Sequence, residues 1–213
     1  MIQERAAAEP RRLSTLAVER ALDKRAKDAT AEVEHILDAA LRVIRSAEPA
    51  SPRVADIIAE AGSSTHAFYR YFGGKDDVIL AVMDRGITIL RSYIDHQVGK
   101  ETDPPGRARR WVTAVLAQAD DPELARESRA VGRLVATIRP HRVADADSFR
   151  ATLVAPLVDA LRDAGVPGPE TAADAAYDVA YGALSRHVED LTPIRPAERE
   201  RLVEFCLKGA GLT

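Results

Sequence analysis

Residues 51–75 read SPRVADIIAEAGSSTHAFYRYFGGK, and this stretch decides the fold. A glycine, Gly62, separates two short segments with helical apolar spacing. A sharp corner between helices needs one residue at positive φ, which glycine adopts without steric cost. Ser51 followed by Pro52 reads as a capping residue with proline at the first helical position. Ser64 can cap the next helix, which ends before Gly73-Gly74. Phe68 and Phe72 are four apart and face inward, while Thr65, His66 and Tyr69 project outward. Two short helices about four residues apart across a tight turn describe a helix-turn-helix. Small hydrogen-bonding side chains at the start of its exposed second helix suit base edges in a major groove. Nearby Tyr and Lys side chains suit phosphate oxygens.

Outward from this stretch the spacing predicts helix almost everywhere. Val33, Ile36, Leu37, Ala40, Leu41 and Ile44 form one helical face, with Thr30 as its N-cap and Pro49 as its end. A longer helix runs over 75–96, with Val78, Val82, Ile89 and Tyr93 facing inward. Asp103-Pro104-Pro105-Gly106 ends a segment, and further helices cover 111–119, 122–139, 148–164, 171–191 and 197–208. Pro156 is expected to bend the third of these. No stretch has the alternation and β-branched enrichment of a strand. The division expected is a charged extension over 1–29, a three-helix reading domain over 30–90 and a helical bundle over 91–213.

Composition narrows the function. The 213 residues carry 30 Lys+Arg and 33 Asp+Glu, a net charge of −3. The longest wholly apolar run, 78–83, is far too short to span a bilayer. The N-terminus lacks an apolar signal core, so a soluble, cytoplasmic protein is expected. One cysteine, Cys206, excludes an internal disulfide framework and a multi-cysteine zinc site. The histidines at 35, 66, 96, 141 and 187 are scattered without metal-ligand spacing. His187 with Glu189 and Asp190, and His141 with Asp145 and Asp147, come nearest to a cluster, and both read as solvated. Gly73-Gly74-Lys75 lacks the preceding strand and glycine of a phosphate loop. No acid–base or nucleophile constellation points to an enzyme, and no metal or cofactor is implied.

The sequence resembles the TetR-type transcriptional repressors. The resemblance rests on Ile36-Leu37-Asp38-Ala39-Ala40-Leu41, Val54-Ala55-Asp56-Ile57, the Ala61-Gly62-x-Ser64 turn, and Phe68-Tyr69-Arg70-Tyr71-Phe72-x-x-Lys75. It is strong over 30–90 and weak beyond. Glu48-Pro49, Pro52, Ser63 and Gly74 depart from the family's usual residues. The resemblance implies that Thr65 and His66 touch bases, and that Arg53, Tyr69 and Lys75 hold phosphates. Ser64 and Tyr71 complete the expected DNA-binding set. Residues 30–76 hold five bases against seven acids, a net of −2, whereas 1–29 hold seven against five, a net of +2. The extension is thus a candidate basic arm.

Readers of duplex DNA bind paired half-sites as two-fold dimers. The expected dimer face comprises Ala172, Ala176, Val179, Ala180, Ala183, Leu202 and Phe205; in the resembling family this helix pair makes a four-helix bundle with its mate. The expected effector cavity comprises Tyr93, Trp111, Leu134, Ile138, Phe149, Leu153 and Tyr177. Its ligand is a small apolar or amphipathic molecule. The partners expected are a palindromic double-stranded DNA operator, a second copy of the chain and that effector, with no membrane. The rival expectation is an all-helical interaction or structural module without DNA binding.

Overall fold

Leu13–Ala47 forms one continuous helix, α1, in the computed structural model, which describes residues 13–47, 50–138 and 146–212. Thr30 therefore lies inside a helix rather than capping it. Its hydroxyl donates to the Ala26 carbonyl at 3.0 Å, the i−4 bond of a mid-helix threonine. Good helix formers over 16–29, four of them alanines, carry the helix across the expected boundary. α1 is also longer than the helix over 75–98 that the sequence made the longest of the reading domain. Residues 1–12 of the extension, Glu48-Pro49, Arg139-Pro140 and the His141–Asp145 pair lie outside the described residues.

The remaining helices are α2 Val54–Glu60, α3 Thr65–Tyr71, α4 Lys75–Val98, α5 Pro104–Leu116, α6 Pro122–Val135, α7 Ala146–Asp163, α8 Pro169–Asp190 and α9 Pro196–Gly209. A single 3₁₀ turn, Ala117–Ala119, follows α5. No strand occurs among the described residues, so the chain is all-α. α5 starts seven residues earlier than expected. Asp103 caps it, accepting from Gly106 N–H at 2.8 Å, and Pro104 occupies the first turn, where a missing N–H does no harm.

Two apolar clusters organise the helices. The first joins Ile36, Ala40 and Ile44 of α1 to Ile57, Phe68, Val78 and Val82, and takes in Ala130 and Val131 of α6. The second gathers Ile94, Trp111, Leu116, Leu157, Leu161, Ala180 and Val203 from α4, α5, α7, α8 and α9. α4 serves both clusters, so its buried face changes along its length. Val78, Ile79 and Val82 are buried in one and Ile94 and Val98 in the other. Ile89 and Tyr93 fall between and face outward, with Ile89 64% exposed, against the expectation that both point inward. Polar ties reinforce the junction: Arg85 bonds Glu34 and Asp38 of α1, and Arg45 of α1 bonds Glu123 and Glu127 of α6.

Candidate nucleic-acid interface

Local chemistry sets the turn before α3. Gly62 has φ +55°, the left-handed conformation that favours glycine. Its N–H donates to the Ala59 carbonyl and that of Ser63 to Ile58, the paired bonds of a Schellman stop that closes α2. Ser64 is extended, and its hydroxyl accepts from Ala67 N–H at 3.0 Å, capping α3. Ser51 does not cap α2. That helix begins at Val54 with Arg53 at the N-cap, and the Ser51 hydroxyl instead accepts from Lys75 Nζ at 2.8 Å.

α3 is divided cleanly into two faces. Phe68 is fully buried and its ring lies 5.4 Å from that of Phe72. Burying such a ring contributes about 1.5–3 kcal/mol. Thr65 and His66 are exposed, and Tyr69 is 54% exposed, one turn further along the same face. The Tyr69 and Phe68 rings meet in a T-shaped contact at 5.3 Å. A fixed inner face thus holds three hydrogen-bonding side chains on the outer one.

The other expected contacts are placed differently. Tyr71 is half-buried, and its hydroxyl donates to Glu32 of α1 at 2.8 Å. Arg70 donates to both Tyr71 and Glu32 and lies over the Tyr71 ring at 4.7 Å. The bond to Glu32 raises the Tyr71 pKa above the usual phenol value. Tyr71 thus braces α3 against α1. Arg53 is exposed but bonded to Asp56 at 2.9 Å, which raises its pKa further. Lys75, through Ser51, ties the start of α4 to the segment before α2.

The bracing of Glu32 on Arg70 and Tyr71, and of His35 Nε2 on the Ala61 carbonyl at 3.0 Å, was not read from the sequence. A polar residue every third position on the rim of an apolar helix face is too common to single them out. The guanidiniums of the reading head share one property: Arg42, Arg45, Arg53 and Arg70 each bond an acid.

In the second cluster, Trp111 and Leu153 are buried and Trp111 Nε1 donates to the Leu153 carbonyl at 2.9 Å. Tyr177 is 6.4 Å from Trp111, stacks on Tyr181 at 5.3 Å and lies under Arg150 at 4.5 Å. Burial pushes the Tyr177 hydroxyl up to about 12. Phe149 is half-buried near the start of α7. Leu134 and Ile138 pack into the first cluster instead, and Tyr93 lies on the surface, so the structure does not bring the seven expected cavity residues together. A cleft of about 580 Å³ opens between α7 and α8, with Ala151, Val154, Ala155 and Val158 as its apolar side and a rim where Arg150 pairs with Asp174 and Arg162 with Asp159 and Glu170.

The residues expected at a dimer face divide by exposure. Ala176, Ala180 and Ala183 are buried in the chain's own cluster, where they let α8 approach its neighbours, and have no surface left for a second chain. Ala172, Val179 and Leu202 are half-buried against the same cluster. Phe205 is 63% exposed on α9 and Tyr181 48% exposed on α8. Cys206 is buried, its thiol pushed up to about 11 by burial. His187 joins the end of α8 to the α9 segment through Thr192 and Glu198.

Residues 36–82 match the family described as bacterial regulatory proteins, tetR family. The HTH-type transcriptional regulator BetI of Brucella anthropi is 34% identical over 82 residues, 38% of this chain. The matched stretch spans 40% of that relative's length. Among solved structures, the fatty acid degradation regulator FadR from Bacillus halodurans superposes with a TM-score of 0.61 at 21% identity, over 83% of this chain and 98% of that one. FadR from Bacillus subtilis, solved with stearoyl-CoA, gives 0.60 at 17% identity over 83% and 98%. These likenesses extend the shared all-helical fold well beyond the matched reading domain. No helix among the described residues is long and apolar enough to cross a membrane.

Proposed function

We propose that the chain is a TetR-family transcriptional regulator whose DNA-binding domain spans residues 30–90 and includes the stretch 36–82 that matches the family, and that it is a cytoplasmic repressor released by a small molecule. In this reading two copies bind a palindromic operator, each reading one half-site. Thr65 and His66 contact base edges, while Tyr69, Lys75 and Arg53 hold phosphates and Ser64 and Tyr71 keep α3 in position. The observation that carries the reading is the outward face of α3, where Thr65, His66 and Tyr69 stand on a helix fixed by Phe68 and the Ser64 cap. Helices of this kind enter the major groove with their N-terminal residues against the bases.

The proposed dimer contact is centred on Phe205 and Tyr181, the large exposed apolar side chains of α8 and α9. The effector is apolar or amphipathic and enters beside α7, where the cleft joins an apolar side to a rim of arginine–carboxylate pairs. It binds the state of low DNA affinity more tightly and so shifts the population. The alternative, a helical module without DNA binding, is favoured by the acid partners of Arg42, Arg45, Arg53 and Arg70.

Footprinting on the DNA flanking the protein's own gene separates the two. Protection of a two-fold symmetric site, lost as salt rises, supports the regulator; uniform cleavage at every salt concentration supports the module. A long-chain acyl-CoA and a free fatty acid are suitable first probes for release.

A further inference from the structure

The reading head is short of free positive charge. Of its six bases, Arg42, Arg45, Arg53, Arg70 and Arg85 already bond acids, and the sixth, Lys75, donates to Ser51. The amino-terminal part of α1 differs. Arg20, Lys24, Arg25 and Lys27 fall within eight residues of an exposed helix, and none has an acid partner among the described residues. This part extends about 25 Å beyond residue 30 at 1.5 Å per residue. It leaves the head beside α3, because Glu32, two residues on, is bonded to Arg70 and Tyr71 at the end of that helix.

We infer that residues 16–29 of α1 are a second DNA-contacting surface, a helical arm on which Arg20, Lys24 and Lys27, spaced i, i+4 and i+7 on one face, lie along backbone phosphates flanking the half-site read by α3. Duplex DNA is the partner because it presents a dense row of negative charge, and an exposed helix with unpaired cations meets it without first breaking an ion pair. Such an arm adds affinity without sequence information. The inference rests on the DNA-binding reading above.

The test is a full-length variant with Arg20→Gln, Lys24→Gln and Lys27→Gln, changes that keep helix-forming side chains. Its affinity for operator and random duplex should fall by similar factors, and the slope of log affinity against log salt should become shallower by about 2.7 units. Circular dichroism should be unchanged, since the arm packs on nothing that the change removes. Lys100→Gln, on an exposed lysine after α4, should leave the slope as it is. An unaltered slope in the triple variant, with wild-type binding still salt-dependent, overturns the arm alone. An equal shift per charge from Lys100→Gln overturns it too. A wild-type protein with no salt-dependent binding overturns the DNA-binding reading itself.

Discussion

Arg91 on α4 donates from Nη1 to the carbonyl of Thr152 on α7, the carbonyl that Pro156 leaves without its helical partner. Proline has no N–H, so the i−4 acceptor inside a helix is orphaned. α4 comes from the reading head and α7 lines the cleft, so this bond ties the two. Asp95, one turn along α4, holds the guanidinium with both carboxylate oxygens at 2.9 Å. One residue on, Trp111 caps the Leu153 carbonyl from α5. The stretch of α7 before Pro156 is thus held by side chains from two neighbouring helices.

Replacing Arg91 by Gln should destabilise the fold by about 1–3 kcal/mol, the range for an acceptor losing a charged donor. Pro156→Ala restores an N–H to Thr152. In that background Arg91→Gln should therefore cost less, with a coupling of at least 0.5 kcal/mol in a double-mutant cycle. Equal costs in both backgrounds would show that the bond does not serve the proline's orphan. Denaturant titration followed through Trp111, the only tryptophan, measures all four proteins.

The exposure of α8 and α9 makes a paired prediction. Phe205→Asp changes a side chain that is 63% exposed, so the fold should persist while the proposed dimer dissociates into monomers by sedimentation velocity. Ala180→Glu places a charge where no surface is exposed, and it should unfold the chain, since an unpaired buried charge costs several kcal/mol. A folded, monomeric Ala180→Glu protein would return that residue to the interface.

How much of this was legible in the sequence depends on the range of the cause. Gly62, the Ser64 cap and the Phe68–Phe72 spacing were readable because each acts over four residues or fewer. The helix count was readable because prolines and glycines punctuate the chain. Ile89 and Tyr93 were misread because α4 changes clusters. Ile94 lies twelve residues after Val82, and twelve residues turn a helix about 120° from its starting face. The alanines of α8 do not name their neighbour: a small-residue stripe permits close approach to any helix, and Ala176, Ala180 and Ala183 are buried in the chain's own cluster. The Arg91–Thr152 bond joins residues 61 apart. Pro156 marked the orphan carbonyl in advance, but nothing local named the donor.

Cys206 offers a pH-dependent check on burial. Its thiol ordinarily titrates near 9.0 and is pushed to about 11 in the fold, so between these values the unfolded chain has lost a proton that the native one keeps. Stability should therefore fall as pH rises from 9 towards 11, by linkage. Cys206→Ala should flatten that part of the decline relative to wild type. Tyr177, pushed to about 12, contributes in the same direction and stays in both proteins. Identical pH profiles for the two proteins would place the thiol in contact with solvent.

The central claim is that the outward face of α3 reads DNA sequence. It is tested most directly by the ratio of operator to random-duplex affinity, measured at one salt concentration for wild type and for Thr65→Ala/His66→Ala. Both side chains are exposed, so the double variant should fold normally. Each lost base contact is worth about 1–3 kcal/mol of discrimination, so the ratio should collapse by about 30-fold or more while random-duplex affinity stays nearly constant. A double variant that keeps the wild-type ratio would contradict the claim and place sequence reading on another face of the protein.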